Sequence, residues 1–147
     1  MIVKTIKETE RFANNFAKKV TIPTILALSG ELGSGKTTFT KFLAKSLGIK
    51  ENVNSPTFNI ITSYQPMTDN TKGDKPPVTS FKFFHIDCYR LNEPEKLLDL
   101  GLSDILKDKN NIIVIEWADK IKKFLPKNTI WIEFKHIEND KREILIN

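Results

Sequence analysis

The stretch Gly30-Glu31-Leu32-Gly33-Ser34-Gly35-Lys36-Thr37 fits G-x-x-x-x-G-K-[ST], a loop that cradles nucleotide phosphates. Its flanks constrain the fold. Thr24 to Leu28 is a short apolar run, as a buried parallel strand reads, and Phe39, Phe42, Leu43 and Leu47 then recur at helical spacing until Gly48 stops the helix. Strand, glycine loop and helix in that order predict an α/β chain in which loop N–H groups and a helix N-terminus converge on one anion. The glycines let the backbone turn inward. Lys36 is placed to reach the β- and γ-phosphates, and the Thr37 hydroxyl is a hard oxygen ligand suited to magnesium. A nucleoside triphosphate is the expected ligand.

A chain of 147 residues predicts one domain, 1–147, with no room for a separate substrate domain. No run reaches the length of a membrane span or resembles a secretion signal, and Cys88 has no partner for an internal disulfide. These features predict a soluble cytoplasmic protein with no membrane partner. The net charge of +5 invites a nucleic-acid reading, yet Arg11, Arg90 and Arg142 are the only arginines. A dedicated base-reading face is therefore not expected.

Along the chain, Thr5 to Glu8 has the spacing of a capping box, and Phe12, Ala13, Phe16, Ala17 and Val20 mark one face of a first helix. Asn59 to Tyr64, Phe81 to Asp87 and Ile112 to Glu116 read as strands. Pro94 to Leu106 reads as one or two short helices, and Ala118 to Phe124 as a helical stretch ending before Pro126. Residues 65–79, with Pro66, Gly73, Pro76 and Pro77, read as an exposed polar loop. Ile130 to Phe134 and Glu143 to Ile146 flank a polar turn and predict a closing hairpin.

A triphosphate site needs a second anchor for magnesium, usually an acid at the carboxyl end of a neighbouring strand. Asp87 and Glu116 both end apolar strands and both qualify, since open α/β sheets bind ligands at that rim. Thr57, after a proline, fits either a γ-phosphate-sensing loop or an ordinary turn. His85 and Cys88 read as sheet residues, since His136 is the only other histidine and no transition-metal cluster is in sight. Arg90 reads as a surface ion-pair residue that could also offset phosphate charge, and Trp117 and Trp131 read as packing residues.

Gly30-Glu-Leu-Gly-Ser-Gly-Lys-Thr-Thr38, Ser55-Pro-Thr-Phe58, His85-Ile-Asp-Cys-Tyr-Arg90 and Ile115-Glu-Trp117, in that order, closely resemble the TsaE family, formerly YjeE, over nearly the whole chain. The resemblance implies a P-loop NTPase-like fold: a central, mainly parallel sheet with helices on both faces and a C-terminal antiparallel hairpin. It implies a weak magnesium-dependent ATPase that serves tRNA N6-threonylcarbamoyladenosine synthesis and resets a complex of TsaB-like and TsaD-like proteins, meeting tRNA only through that complex. ATP and Mg2+ are the implied cofactors.

Carried over by motif position, Gly33, Ser34, Gly35, Lys36, Thr37 and Thr38 hold ATP, and Thr37 with Glu116 binds the metal. Thr57 corresponds to the switch threonine, Asp87 lies near the attacking water, and these two with Lys36 form the catalytic set. Two departures stand out: Ala118-Asp119 follows the Glu-Trp pair, and the 65–79 loop is long and polar. Neither touches the core motifs.

Three rivals share parts of this pattern. A small-molecule kinase needs a lid of arginines, which three scattered arginines do not supply. Thr71-Lys72-Gly73-Asp74 matches a guanine-reading pattern, but it precedes Asp87 and lacks a D-x-x-G before it. A nucleotide-gated binding module, with hydrolysis incidental, is the third.

Overall fold

Continuous apolar runs in the central strands give the sheet two apolar faces to cover, and helices cover both. The structure, a computed structural model, describes residues 1–54, 59–66, 81–138 and 141–147. Its elements are β1 (Ile2–Val3), α1 (Ile6–Ala17), β2 (Thr24–Gly30), α2 (Lys36–Ser46), β3 (Ile61–Tyr64), β4 (Lys82–Asp87), α3 (Lys96–Asp99), α4 (Leu102–Lys107), β5 (Asn111–Glu116), a 3-10 segment Ala118–Phe124, β6 (Ile130–His136) and β7 (Arg142–Ile146). Ser55–Phe58, with Thr57, and residues 67–80, with most of the polar loop and Thr71 to Asp74, lie outside the described residues.

Seven strands form one sheet in the order β1-β7-β6-β2-β5-β4-β3. The four central strands β6, β2, β5 and β4 run parallel, while β3, β7 and β1 pair antiparallel at the edges. The sheet is therefore mixed: its centre is parallel, as expected, and antiparallel strands join it at both edges. The expected closing hairpin is β6 and β7, with Phe134 opposite Ile144.

Side-chain parity assigns each face its helices. Leu26 and Leu28 of β2 and Ile112 and Val114 of β5 share one core with Ala13 of α1 and with Phe39 and Leu43 of α2. Ile25, Ala27, Ile113 and Ile115 point the other way, toward Leu97 of α3, Leu102 of α4, and Ala118 and Ile121 of the 3-10 segment. Phe12 and Phe16 of α1 meet Phe39 with ring centroids 5.3 and 5.9 Å apart. The fully buried Phe39 ring contributes on the order of 1.5–3 kcal/mol through the apolar surface it removes from water, and the partly buried Phe12 and Phe16 contribute less. The Thr5 side chain caps α1 by accepting from the Glu8 N–H at 3.2 Å, while the Glu8 carboxylate accepts from the Lys4 N–H.

Two local features refine the expectation. The helical stretch expected over Ala118–Phe124 is present as a 3-10 segment, and it breaks at Ile121 (φ −122°, ψ 16°). The short strand β1, which pairs Ile2 with Glu143, has no periodic signal in sequence.

Candidate functional site

The carboxyl ends of β2, β5 and β4 bring the glycine loop and both strand-tip acids to one place. Gly33, Gly35, Lys36, Thr37, Thr38, Asp87 and Glu116 line a single cleft of about 200 Å³, together with Leu32, Tyr89, Trp117 and Arg142. That volume is below the ~300–1,000 Å³ of pockets that bury a whole small ligand, so it fits a compact charged fragment. A larger cleft of about 480 Å³ lies along α1 and the β1–β7 edge, lined by Met1, Ile2, Phe12, Phe16 and Ile146 among others. Neither the glycine loop nor either strand-tip acid reaches it.

The glycine loop owes its shape to backbone conformations that side chains resist. Gly30 at φ 130° packs so closely on β6 that an added Cβ would stand 2.1 Å from the Phe134 carbonyl oxygen. Gly35, at φ 105°, is the N-cap of α2, and the N-terminus of that eleven-residue helix opens toward the cleft. The aliphatic stem of Arg142 lies against it, with Cδ 3.3 Å from where a Gly35 Cβ would stand. Arg142 carries no motif in sequence and reaches the cleft only because β7 folds back beside β6.

Lys36 is turned onto its own loop. Its ammonium donates to the carbonyls of Gly30 and Glu31, each at 2.8 Å, and to Ser34 Oγ at 3.3 Å. Burial lowers its pKa below the usual lysine value, and the charges of Glu116, Asp87 and Asp119 act against that shift. The same ammonium lies 4.0 Å from the centroid of the Trp117 ring. Trp117 adopts a left-handed backbone (φ 58°, ψ 39°), rare for a bulky residue, and so turns the chain sharply after β5. Tyr89 packs on the same indole with ring centroids 5.0 Å apart. The packing expected of Trp117 is thus real, and it happens at the wall of the cleft.

Strand parity places the acids. Glu116 shares the side of β5 that carries Ile112 and Val114, so it faces α2. It is buried, at 1% exposure. Its Oε2 accepts from the Thr37 hydroxyl at 2.7 Å, and its Oε1 lies 2.9 Å from His85 Nε2. Hydroxyl and carboxylate are hard oxygen donors of the kind a small divalent cation takes. Asp87 stands opposite Glu116 in the sheet register but is half-buried, and its Oδ1 accepts from the Tyr89 N–H at 2.9 Å.

The remaining expectations divide. Ser34 is buried beneath the loop, and Thr38 lines the cleft. Arg90 is exposed and is not among the cleft residues. Cys88 is buried, its thiol pushed up to about 12 by burial first and by the Asp87 charge second. Thr57 lies outside the described residues. Among the described residues, no group of three or more His, Cys, Asp or Glu side chains could hold a metal ion. Among them also, no helix is long and apolar enough to cross a membrane.

Comparison with known proteins agrees with the motif order. A tRNA threonylcarbamoyladenosine biosynthesis protein TsaE from Rickettsia typhi is 36% identical over 137 residues, 92% of this chain and 85% of the relative. Its namesake from Bacillus subtilis is 37% identical over 138 residues, 94% of this chain and 78% of that protein. The crystal structure of Bacillus subtilis YdiB superposes with a TM-score of 0.73 at 30% identity, covering 98% of this chain and 80% of that one. The profile of the family described as threonylcarbamoyl adenosine biosynthesis protein TsaE matches residues 3–144, and the chain belongs to that family, which serves tRNA threonylcarbamoyladenosine biosynthesis.

Proposed function

We propose that this chain is a single P-loop ATPase domain that binds magnesium-ATP in the cleft and hydrolyses it as part of the t6A modification machinery. One observation carries the reading. The Thr37 hydroxyl and the Glu116 carboxylate meet at 2.7 Å beside the glycine loop, pairing the loop's last residue with an acid from the adjacent strand tip. The donor set fits magnesium, because both groups offer hard oxygens and the ion keeps its remaining positions for water and phosphate. Thr37 and Glu116 would hold the ion, which supplies charge stabilisation at the phosphates.

In this reading the backbone of Gly33 to Thr38 and the α2 N-terminus bind the phosphate oxygens. Lys36 leaves the carbonyls of Gly30 and Glu31 to meet the β- and γ-phosphates. Asp87, half-buried across from Glu116, orients the attacking water, and Thr57 senses the γ-phosphate. Turnover is weak in the isolated chain and resets a complex of TsaB-like and TsaD-like partners, through which the protein meets tRNA.

A nucleotide-gated binding module is the second reading. The internal hold on Lys36 favours it, since binding must first undo contacts that the loop makes with itself. Calorimetry with ATP and GTP tests the base preference, and tRNA modification reconstituted with partner proteins tests the role. Lys36→Ala and Glu116→Ala are expected to abolish modification. Full modification by either variant would overturn the ATP-driven role. Intact modification by a variant that binds ATP but cannot hydrolyse it would favour the gated module.

A further inference from the structure

His85 is fully buried beside the cleft, at 0% exposure, and the reading above gives it no task. Strand parity explains where it goes. Phe83 of β4 lies in the core under α2, so His85, two residues on, points to that same side. In the register His85 is opposite Val114 and Asp87 is opposite Glu116, which sets the imidazole diagonally beside the Glu116 carboxylate. Its Nε2 comes within 2.9 Å of Oε1.

The chemistry of the pair fixes which group donates. An ionised carboxylate only accepts, so Nε2 carries the hydrogen and donates it to Glu116. The other ring nitrogen, Nδ1, is buried with no hydrogen-bond partner among the described residues, so Glu116 is the polar partner the ring has there. Glu116 is thereby gripped at both oxygens, by the Thr37 hydroxyl and by the imidazole. A glutamate held at one oxygen alone can rotate about its terminal bond, and the Lys36 ammonium on the neighbouring loop is a cation toward which it could swing.

We propose that His85 is a positioning residue whose Nε2–H locks Oε1 of Glu116, leaving Oε2 aimed at Thr37 to receive the magnesium ion of bound ATP. The proposal rests on the magnesium-ATP reading of the cleft. Ligand-orienting partners of this kind change metal affinity by about 10- to 100-fold when removed. A histidine that merely filled the core would act through shape and would leave the metal's contribution unchanged.

The test measures mant-ATP binding to the full chain by fluorescence titration, with excess magnesium and again with EDTA, so that the ratio of the two dissociation constants isolates the metal. His85→Leu is expected to lose about 10- to 100-fold of the wild-type ratio while binding in EDTA as wild type does. His85→Gln places an amide N–H near the Nε2 position and is expected to restore most of the ratio. If His85→Leu does not fold, His85→Phe keeps the ring's shape without its nitrogens and carries the same comparison against glutamine. The proposal is overturned if the apolar variant keeps the wild-type ratio, or if glutamine loses as much as the apolar variant. A wild-type protein with no magnesium-dependent gain would overturn the reading of the cleft itself, an outcome distinct from either of these.

Discussion

The tips of β4 and β5 are neighbours in the sheet and both end in an acid, yet the two acids are held differently. At the β5 tip, Glu116 is buried, held at both oxygens, and followed at once by a tryptophan in a strained left-handed turn. At the β4 tip, Asp87 is half-buried, and its Oδ1 accepts from the N–H of Tyr89 two residues on, at the start of an exposed stretch. A carboxylate fixed on two sides suits a ligand whose geometry must not vary. One at the cleft's edge can reach water. Position in the sheet alone does not separate these roles; burial and partners do.

The sharpest break of this contrast is Glu116→Gln. Glutamine keeps the shape, and the Thr37 hydroxyl can accept as well as donate, so thermal unfolding should change little. Magnesium-dependent ATP turnover should fall about 1,000-fold, because several kcal/mol of charge stabilisation is lost. Asp87→Asn should cost about 100-fold in turnover, as loss of a proton-accepting or water-orienting group does, while the magnesium-dependent part of ATP affinity stays at the wild-type value. If Asp87→Asn removed that part and Glu116→Gln did not, the two tips would have been assigned the wrong way round.

The tips are also coupled, because Tyr89 from one packs on Trp117 from the other. Tyr89→Ala should lower stability by about 1 kcal/mol, the worth of an aromatic pair, measured by urea unfolding. At neutral pH the smallest effect concerns Cys88, whose thiol is raised from 9.0 to about 12 by burial. A raised folded-state pKa contributes stability that is fully present below pH 9.0 and is lost as pH climbs toward 12. Native protein should accordingly resist iodoacetamide near neutral pH, and Cys88→Ala should flatten the alkaline limb of the stability profile. Rapid alkylation of native protein would contradict the burial of this thiol.

Much of this was legible in sequence where the signal was local. The β2 strand, glycine loop and α2 helix are contiguous, so their spacing carries them, and the Thr5 cap and the β6–β7 hairpin announce themselves within a few residues. Asp87 and Glu116 were recognisable as strand-ending acids. Spacing alone does not tell them apart and only the family resemblance does, because the difference lies in burial and in which side chains from other strands touch each one. The His85 contact with Glu116 spans 31 positions and exists only because β5 inserts between β2 and β4. Arg142 enters the cleft through a hairpin whose existence was expected but whose placement beside Gly35 was not. The edge strand β1 escaped because it is two residues long, too short for any period to show.

The rest position of Lys36 beneath Trp117 gives the protein an internal optical reporter. An ammonium seated 4.0 Å from an indole centroid perturbs its emission, and a lysine drawn off toward phosphates would release it. Trp131 is the only other tryptophan, and it sits with Lys122 at 5.6 Å, on β6. A change in intrinsic fluorescence on adding nucleotide, absent in Trp117→Phe, would therefore follow the movement of a single side chain without any label.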